Sequence, residues 1–211
     1  MRSGMTFETW FNDYVFGFML RDVSRELAAA ERGDDAANFL CALGLLTYTE
    51  SLGAHVPGTS RGSRNRFEAF FRHLGPAYEE FLEEHPRTYD IVRNGLIHEQ
   101  RVKKPATIVM LDRHQQAPCG LLYETVEELI TRAEAEFAAS DRDRFWLELA
   151  REIAPAPDEG RYYLVVQRYF RDFVVAADEL HRELVGRRHS LIHVYAPDLL
   201  PASSPHESAG R

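Results

Sequence analysis

The sequence predicts a mainly α-helical protein: a helical bundle followed by a small β-hairpin or sheet. Apolar residues recur at steps of three and four across residues 6–99, which is the spacing of one helix face. After Lys104, short runs of β-branched and aromatic residues at 107–109 and 121–123 favour strands. Helical spacing returns at 169–185. These observations predict one helical domain that carries a β insertion behind its first half.

Composition divides the chain into three parts. Residues 1–104 are expected to form the helical core, and residues 105–196 to supply the β element and C-terminal helices that pack on the same domain. Residues 197–211 are rich in Pro, Ser and charge, and we expect them to be disordered.

Helix-start and helix-stop signals place the first two helices. One begins at the capping residue Thr6 and runs to about Arg32, and the next runs from Asp34 or Asp35 to Gly53. Their spacing predicts buried faces made of Phe7, Trp10, Phe11, Tyr14, Phe18, Leu20 and Leu27 in the first helix, and of Ala37, Leu40, Cys41, Gly44, Leu45 and Tyr48 in the second. We therefore assign these aromatic residues to the core.

Turn residues separate the later elements. Residues 53–66 form a loop by their Gly, Pro and Ser content, and a third helix follows with Phe67, Phe70, Phe71 and Leu74 on its apolar face. A short helix follows Gly75-Pro76, and residues 87–99 form another. Further on, the pattern predicts helices at 125–137, 141–153 and 169–185 and a third strand at 162–166.

The composition excludes several classes of protein. The chain has 211 residues, 45% of them hydrophobic, and a net charge of -8 from 33 acidic and 25 basic residues. A general nucleic-acid coat needs an excess of positive charge. The two cysteines are too few for a disulfide framework or a common zinc template. The longest apolar stretch, residues 39–46, is too short to cross a membrane, and we expect a cytoplasmic protein.

One segment carries a chemical motif: Arg93-Asn94-Gly95-Leu96-Ile97-His98. It resembles the Arg-polar-x3-to-5-His motif of the HEPN superfamily (higher eukaryotes and prokaryotes nucleotide-binding domains), and the resemblance extends over roughly residues 5–100. It implies a small helical bundle, a homodimer with the motifs facing each other in a cleft, and a metal-independent endoribonuclease activity. It also implies a toxin or antiphage role with an antitoxin or nucleotidyltransferase-type partner. No cofactor or metal is expected.

The residue types of the motif suit RNA cleavage. Attack by a ribose 2′-OH needs a base for the hydroxyl proton and a cation for the phosphate. Histidine titrates near neutrality, so His98 suits the proton transfer, and the always-charged fork of Arg93 suits the phosphate. Asn94 lies four residues before His98 and shares its face on an α-helix. One motif supplies a single histidine, and two copies across a two-fold axis would supply the second.

Residues outside the motif are weaker candidates. Arg61, Arg64 and Arg66 form a basic stretch that either lines an approach for RNA or is solvated surface. Glu50 either orients Arg93 or His98, or ends its helix as a solvated carboxylate. An ion pair of Arg93 with Asp90 or Glu99 is the structural alternative, because an Arg and a His five residues apart also occur by chance in many helices. The alternative function is then a catalytically inactive nucleotide-binding or protein-interaction module.

A second copy of the pattern lies near the C-terminus. Arg188 and His193 repeat the spacing of Arg93 and His98, and we interpret them as a coincidental basic turn rather than a second site. His189 and His193 are four residues apart, with His181 nearby, but no well-placed carboxylate or cysteine completes a metal site.

Overall fold

The computed structural model describes residues 5–31, 38–96, 106–109, 121–124 and 161–196, and most of these are helical. The expected helices at 125–137 and 141–153, the domain boundary near residue 104, the tail at 197–211 and the motif residue His98 lie outside these ranges. The elements in chain order are α1 (three consecutive stretches, Phe7–Trp10, Phe11–Leu20 and Arg21–Glu31), α2 (Asn38–Gly53), α3 (Ser63–His73), α4 (Pro76–Glu84), α5 (Tyr89–Asn94), β1 (Ala106–Val109), β2 (Leu121–Glu124), β3 (Arg161–Val165), α6 (Val166–Val185) and α7 (Leu191–Tyr195).

The middle of α1 is wider than an α-helix. Thr6 caps the helix as predicted, with its hydroxyl accepting from the Thr9 backbone N–H. The stretch Phe11–Leu20 then has π-helical, i to i+5, hydrogen bonding. Its buried residues Phe11, Val15 and Leu20 are accordingly four and five apart.

The apolar faces predicted for α1 and α2 are therefore partly wrong. In α1 the π-helical stretch turns Tyr14 and Phe18 toward solvent, where they are 42% and 53% exposed. In α2 the buried face is Cys41, Ala42, Leu45, Leu46, Thr49 and Leu52, and Leu40 is 61% exposed. The α2 face lies about one residue further round the helix than the predicted stripe.

The core lies where α1, α2, α3 and α6 meet. The largest fully buried side chains come from all four helices and are Phe11, Leu20, Leu45, Leu46, Leu52, Phe67, Phe70, Phe71, Tyr169 and Phe173, together with Leu96 behind α5. Burial of each such side chain contributes roughly 1.5–3 kcal/mol. Inside this core the hydroxyls of Thr49 and Tyr169 are 2.8 Å apart and hydrogen-bonded, which ties α2 to α6.

The β element is a three-stranded sheet in the order β1-β3-β2. β1 pairs in parallel with β3, with Ala106 opposite Tyr162, and β2 pairs antiparallel with β3, with Leu121 opposite Leu164. β1 and β2 therefore do not form a hairpin with each other, because β3, which follows both in the chain, lies between them. β3 continues directly into α6, which anchors the sheet to the helical core.

The C-terminal segment lies along α1. Gly186 ends α6 in the left-handed conformation (φ 80°), which glycine adopts without strain. Arg187 pairs with Glu8, and the Tyr195 hydroxyl donates to the Phe16 carbonyl at 3.0 Å. Across the part of the chain that the structure describes, no helix has the length and apolar content of a membrane span.

The backbones of α2 and α3 approach each other closely at Gly53. A Cβ at this position would lie 1.7 Å from the Arg66 carbonyl oxygen, whereas a Cβ at Gly44 would meet only the Tyr48 side chain at 3.5 Å. Glycine at the end of α2 therefore allows α3 to pack directly against it. α3 begins at Ser63, so Arg64 and Arg66 lie on a helix and not in the loop predicted for 53–66.

We expect opposite effects from two glycine substitutions in α2. Gly53→Ala should lower the free energy of unfolding by about 2–3 kcal/mol or more, because its Cβ overlaps backbone that cannot move independently. Gly44→Ala should raise it by roughly 0.5–1 kcal/mol, since alanine favours a helix interior where space allows. Urea unfolding followed by circular dichroism measures both, and equal effects would contradict the close approach.

Candidate functional site

The motif helix α5 meets the end of α2 and the beginning of α3. It buries Tyr89, Ile91 and Val92 and leaves Asp90, Arg93 and Asn94 partly exposed. Its hydrogen bonding is π-helical, a rare form that occurs frequently at functional sites. The polar face of α5 therefore lies beside the last turn of α2 and the first turn of α3.

Arg93 is held from several sides. Its Nη2 forms an ion pair with Glu50 of α2, and its Nη1 donates to Asn94 Oδ1 at 3.1 Å. Its guanidinium carbon lies 5.5 Å from the centre of the Tyr89 ring. The side chains of Arg93 and Glu50 are only 13% and 15% exposed. Because the pair is largely buried, it fixes the direction of the guanidinium far better than a surface pair would.

One N–H group of the Arg93 guanidinium takes no part in these contacts. Its Nε is buried and has no hydrogen-bond partner among the described residues. A buried guanidinium N–H without an acceptor costs free energy, so this position favours a ligand oxygen or a bound water.

Asp90 connects Arg93 to a second arginine. Arg64 Nη2 donates to Asp90 Oδ2 at 2.5 Å, and Asn94 Nδ2 donates to Asp90 Oδ1 at 3.3 Å. The guanidinium carbon of Arg64 lies 5.4 Å from the same Tyr89 ring centre. We call the chain of contacts Glu50–Arg93–Asn94–Asp90–Arg64 the arginine network. It contains two guanidinium groups and two carboxylates on three helices.

The structure brings together four of the predicted site residues, Glu50, Arg64, Arg93 and Asn94, and leaves two arginines apart. Arg61 and Arg66 are exposed, and no described contact joins them to α5. The charge of Arg66 acts instead on His55, whose pKa is lowered first by burial and then by positive charge that includes Arg66. These two residues therefore supply positive surface but no contact at the network.

The alternative pairing of Arg93 with Asp90 is wrong, because Arg93 pairs with Glu50 and Asp90 pairs with Arg64. The other alternative partner, Glu99, lies outside the described residues. The roles of Asp90 as a connector and of Tyr89 as a shared ring were not predicted. The four-residue spacing of Asp90 and Asn94 is the signal that could have indicated the first.

The C-terminal copy of the motif does not form a second network. Arg188 is 63% exposed and lies 3.7 Å from Glu179 and 4.0 Å from Asp178, and His193 is exposed. In the described part of the chain, no group of three His, Cys, Asp or Glu side chains is arranged to hold a metal ion. Residues 188–193 thus run from the bend after α6 into α7, whose Leu191 is fully buried, and the coincidental basic turn predicted for them is partly helical.

The neighbouring histidines have structural partners. His189 Nε2 lies 2.7 Å from Asn12 Oδ1, and His181 Nδ1 lies 2.9 Å from the Arg187 carbonyl. Burial lowers the pKa of His189, with the charge of His181 acting in the same direction, and burial raises the pKa of Asp178. The two imidazoles therefore fasten the C-terminal segment to α1 and α6.

Cys41 is a core residue, as its position in the apolar run predicts. It is 2% exposed, and burial, with the charge of Glu26, raises the pKa of its thiol to about 11. A thiol in that state is not a nucleophile near neutral pH.

Comparison of the chain with protein-family models, curated proteins and solved structures gives no match. The resemblance to HEPN proteins therefore rests on the sequence motif and stays a prediction.

We expect Glu50 to contribute to stability as well as to the orientation of Arg93. Glu50→Ala should lower the free energy of unfolding by about 1–3 kcal/mol, because it leaves a largely buried guanidinium without its counter-charge. The matched control is Glu68→Ala, which removes a carboxylate 3.7 Å from the 45% exposed Arg72 and should cost less than about 1 kcal/mol. Equal losses in urea unfolding would contradict a structural role for the Glu50–Arg93 pair.

Proposed function

We propose that this protein is a metal-independent endoribonuclease of the HEPN type, with Arg93 on the scissile phosphate and His98 in proton transfer. The observation that carries the proposal is the environment of Arg93. Its guanidinium is oriented by Glu50 and Asn94, while its buried Nε has no hydrogen-bond partner within the described ranges. A pre-oriented cation with a free donor suits stabilisation of a phosphate that gains negative charge. The π-helical turn of the motif is a second supporting feature.

The proposed reaction balances without a metal. His98 accepts the proton of the ribose 2′-OH, the 2′-oxygen forms a bond to phosphorus, and the bond from phosphorus to the 5′-oxygen breaks. The leaving 5′-oxygen takes a proton from an acid, for which we propose His98 of a second copy. Arg93 neutralises the phosphate oxygens throughout. The products are a 2′,3′-cyclic phosphate and a 5′-hydroxyl end.

The second candidate is a catalytically inactive HEPN-like module that binds nucleotides or a protein. It is favoured by the low exposure of Arg93 and by Glu50, which neutralises its charge. This module would retain the arginine network as a structural element of the bundle and would leave RNA intact.

The chemistry can be tested with mixed RNA and purified protein. Cleavage should persist in EDTA and yield 2′,3′-cyclic phosphate ends, and RNA with 2′-O-methyl groups at the cut site should resist. His98→Ala should lower the rate by about 10²–10⁴, which is the usual loss for a positioned general base or acid, and Arg93→Ala should abolish most cleavage.

His193→Ala is the matched control for this experiment, because His193 occupies the same place in the C-terminal copy of the motif and is exposed. It should cleave like the unaltered protein. Unchanged cleavage by His98→Ala would refute the assignment, and cleavage lost in EDTA would indicate a metal site. Intact RNA under all conditions would favour the inactive module.

The composite site also requires assembly. We expect a two-fold dimer with residues 87–99 at or beside the interface, since a single motif lacks the second proton-transfer group. Light scattering at micromolar concentration should give twice the 24.2 kDa chain mass. A monomer that still cleaves RNA would exclude the two-copy mechanism.

A further inference from the structure

The two ion pairs of the arginine network differ in exposure. Arg93 and Glu50 are 13% and 15% exposed, whereas Arg64 and Asp90 are 45% and 33% exposed. A largely buried pair is costly to separate because each partner would be left desolvated and unpaired. A pair in contact with water contributes only about 0–1 kcal/mol and exchanges partners at little cost. The network therefore has one fixed arginine and one arginine whose partner can be replaced.

The fixed and the replaceable arginine are close together. Arg93 and Arg64 lie 5.5 Å and 5.4 Å from the centre of the same Tyr89 ring, so their guanidinium carbons are separated by no more than about twice that distance. Tyr89 is 6% exposed, which keeps the ring from serving as a base-stacking surface and makes it a fixed support for both cations. This upper limit on their separation is compatible with contacts to two neighbouring phosphates of one polynucleotide strand.

We propose that Arg64 binds the phosphate next to the scissile one, and that Asp90 is an internal counter-ion which this phosphate displaces. The proposal rests on the proposed function, since Arg93 must take the scissile phosphate. Displacement leaves Asp90 with the hydrogen bond from Asn94 Nδ2, so its carboxylate keeps one protein partner. A phosphate can offer the guanidinium two oxygens, whereas Asp90 offers it one, Oδ2. The substrate class is single-stranded RNA with at least two phosphates.

The test measures binding separately from cleavage. A short single-stranded RNA with 2′-O-methyl groups throughout cannot be cleaved by 2′-OH attack, and fluorescence anisotropy at several salt concentrations gives its affinity and salt slope. Arg64→Gln should weaken binding about tenfold, the loss expected for one charge-assisted contact. It should also reduce the salt slope by about 0.7, the value for one phosphate contact on a single strand.

Removal of the counter-ion should have the opposite effect. Asp90→Asn should tighten binding several-fold, because the amide still accepts from Asn94 but no longer competes for Arg64. In the Arg64→Gln background the same substitution should give almost no gain. A general effect of charge would persist in that background, and the double variant therefore separates the two explanations.

Matched controls come from α3. Arg72 is 45% exposed like Arg64 and pairs with Glu68 on the same helix. Arg72→Gln and Glu68→Gln remove the same charges away from the network and should change the affinity less than twofold.

Each outcome decides between the proposals. Suppose that the unaltered protein cleaves RNA but that Arg64→Gln changes the affinity no more than the control Arg72→Gln. The second phosphate contact is then wrong, and the nuclease proposal stands. If Asp90→Asn tightens binding equally with and without Arg64, the role of Asp90 as a counter-ion is also refuted. Binding that depends on Arg64 without any cleavage supports the contact and removes the nuclease proposal. A protein that neither binds nor cleaves RNA overturns both.

Discussion

The arrangement of the candidate site depends on the direct packing of α3 against the end of α2. Gly53 lets the two backbones approach at Arg66, where any side chain on residue 53 would overlap the α3 carbonyl. Glu50 lies one turn before this contact and Arg64 lies two residues before Arg66, so the approach sets the positions of both relative to α5. Packing in the core therefore places Glu50 of α2 and Arg64 of α3 at the two ends of the arginine network, whose other members lie on α5.

The burial of each charge then decides what it can do. Glu50 and Arg93 share a site from which most water is excluded, so loss of either one would leave the other buried and unpaired. Arg64 and Asp90 remain in contact with solvent, where screening reduces their attraction. The same kind of ion pair, a carboxylate with a guanidinium, is therefore fixed at one end of the network and exchangeable at the other. Sequence alone contains no information on this difference.

Much of the helical fold could be predicted because it depends on short-range periodicity. Both ends of α1 and α6 lie near their predicted positions, the strand before α6 was also expected, and α3 ends where predicted but begins inside the predicted loop. The exposed Tyr14 and Phe18 could not be predicted, since π-helical bonding changes which residues share a face and leaves no clear signal in composition. The parallel pairing of β1 with β3 joins segments more than fifty residues apart, beyond the reach of local patterns. At the site, the contact of Glu50 with Arg93 was one of the predicted alternatives, whereas the Asp90 connection depends on how α3 meets α5.

The charges of the arginine network sum to zero, and this constrains any function that involves a polyanion. Arg64 and Arg93 are balanced by Glu50 and Asp90, in a chain whose net charge is -8. Under the proposed function, long-range attraction of RNA must then come from exposed cations such as Arg61 and Arg66, and a two-fold dimer would double their number. Short-range binding must come from exchange of a carboxylate for a phosphate on Arg64, which leaves the Asp90 carboxylate without its cation and so costs free energy unless the phosphate is well placed. Under the proposed function, the network is therefore suited to binding a correctly placed phosphate rather than to gathering nucleic acid at random.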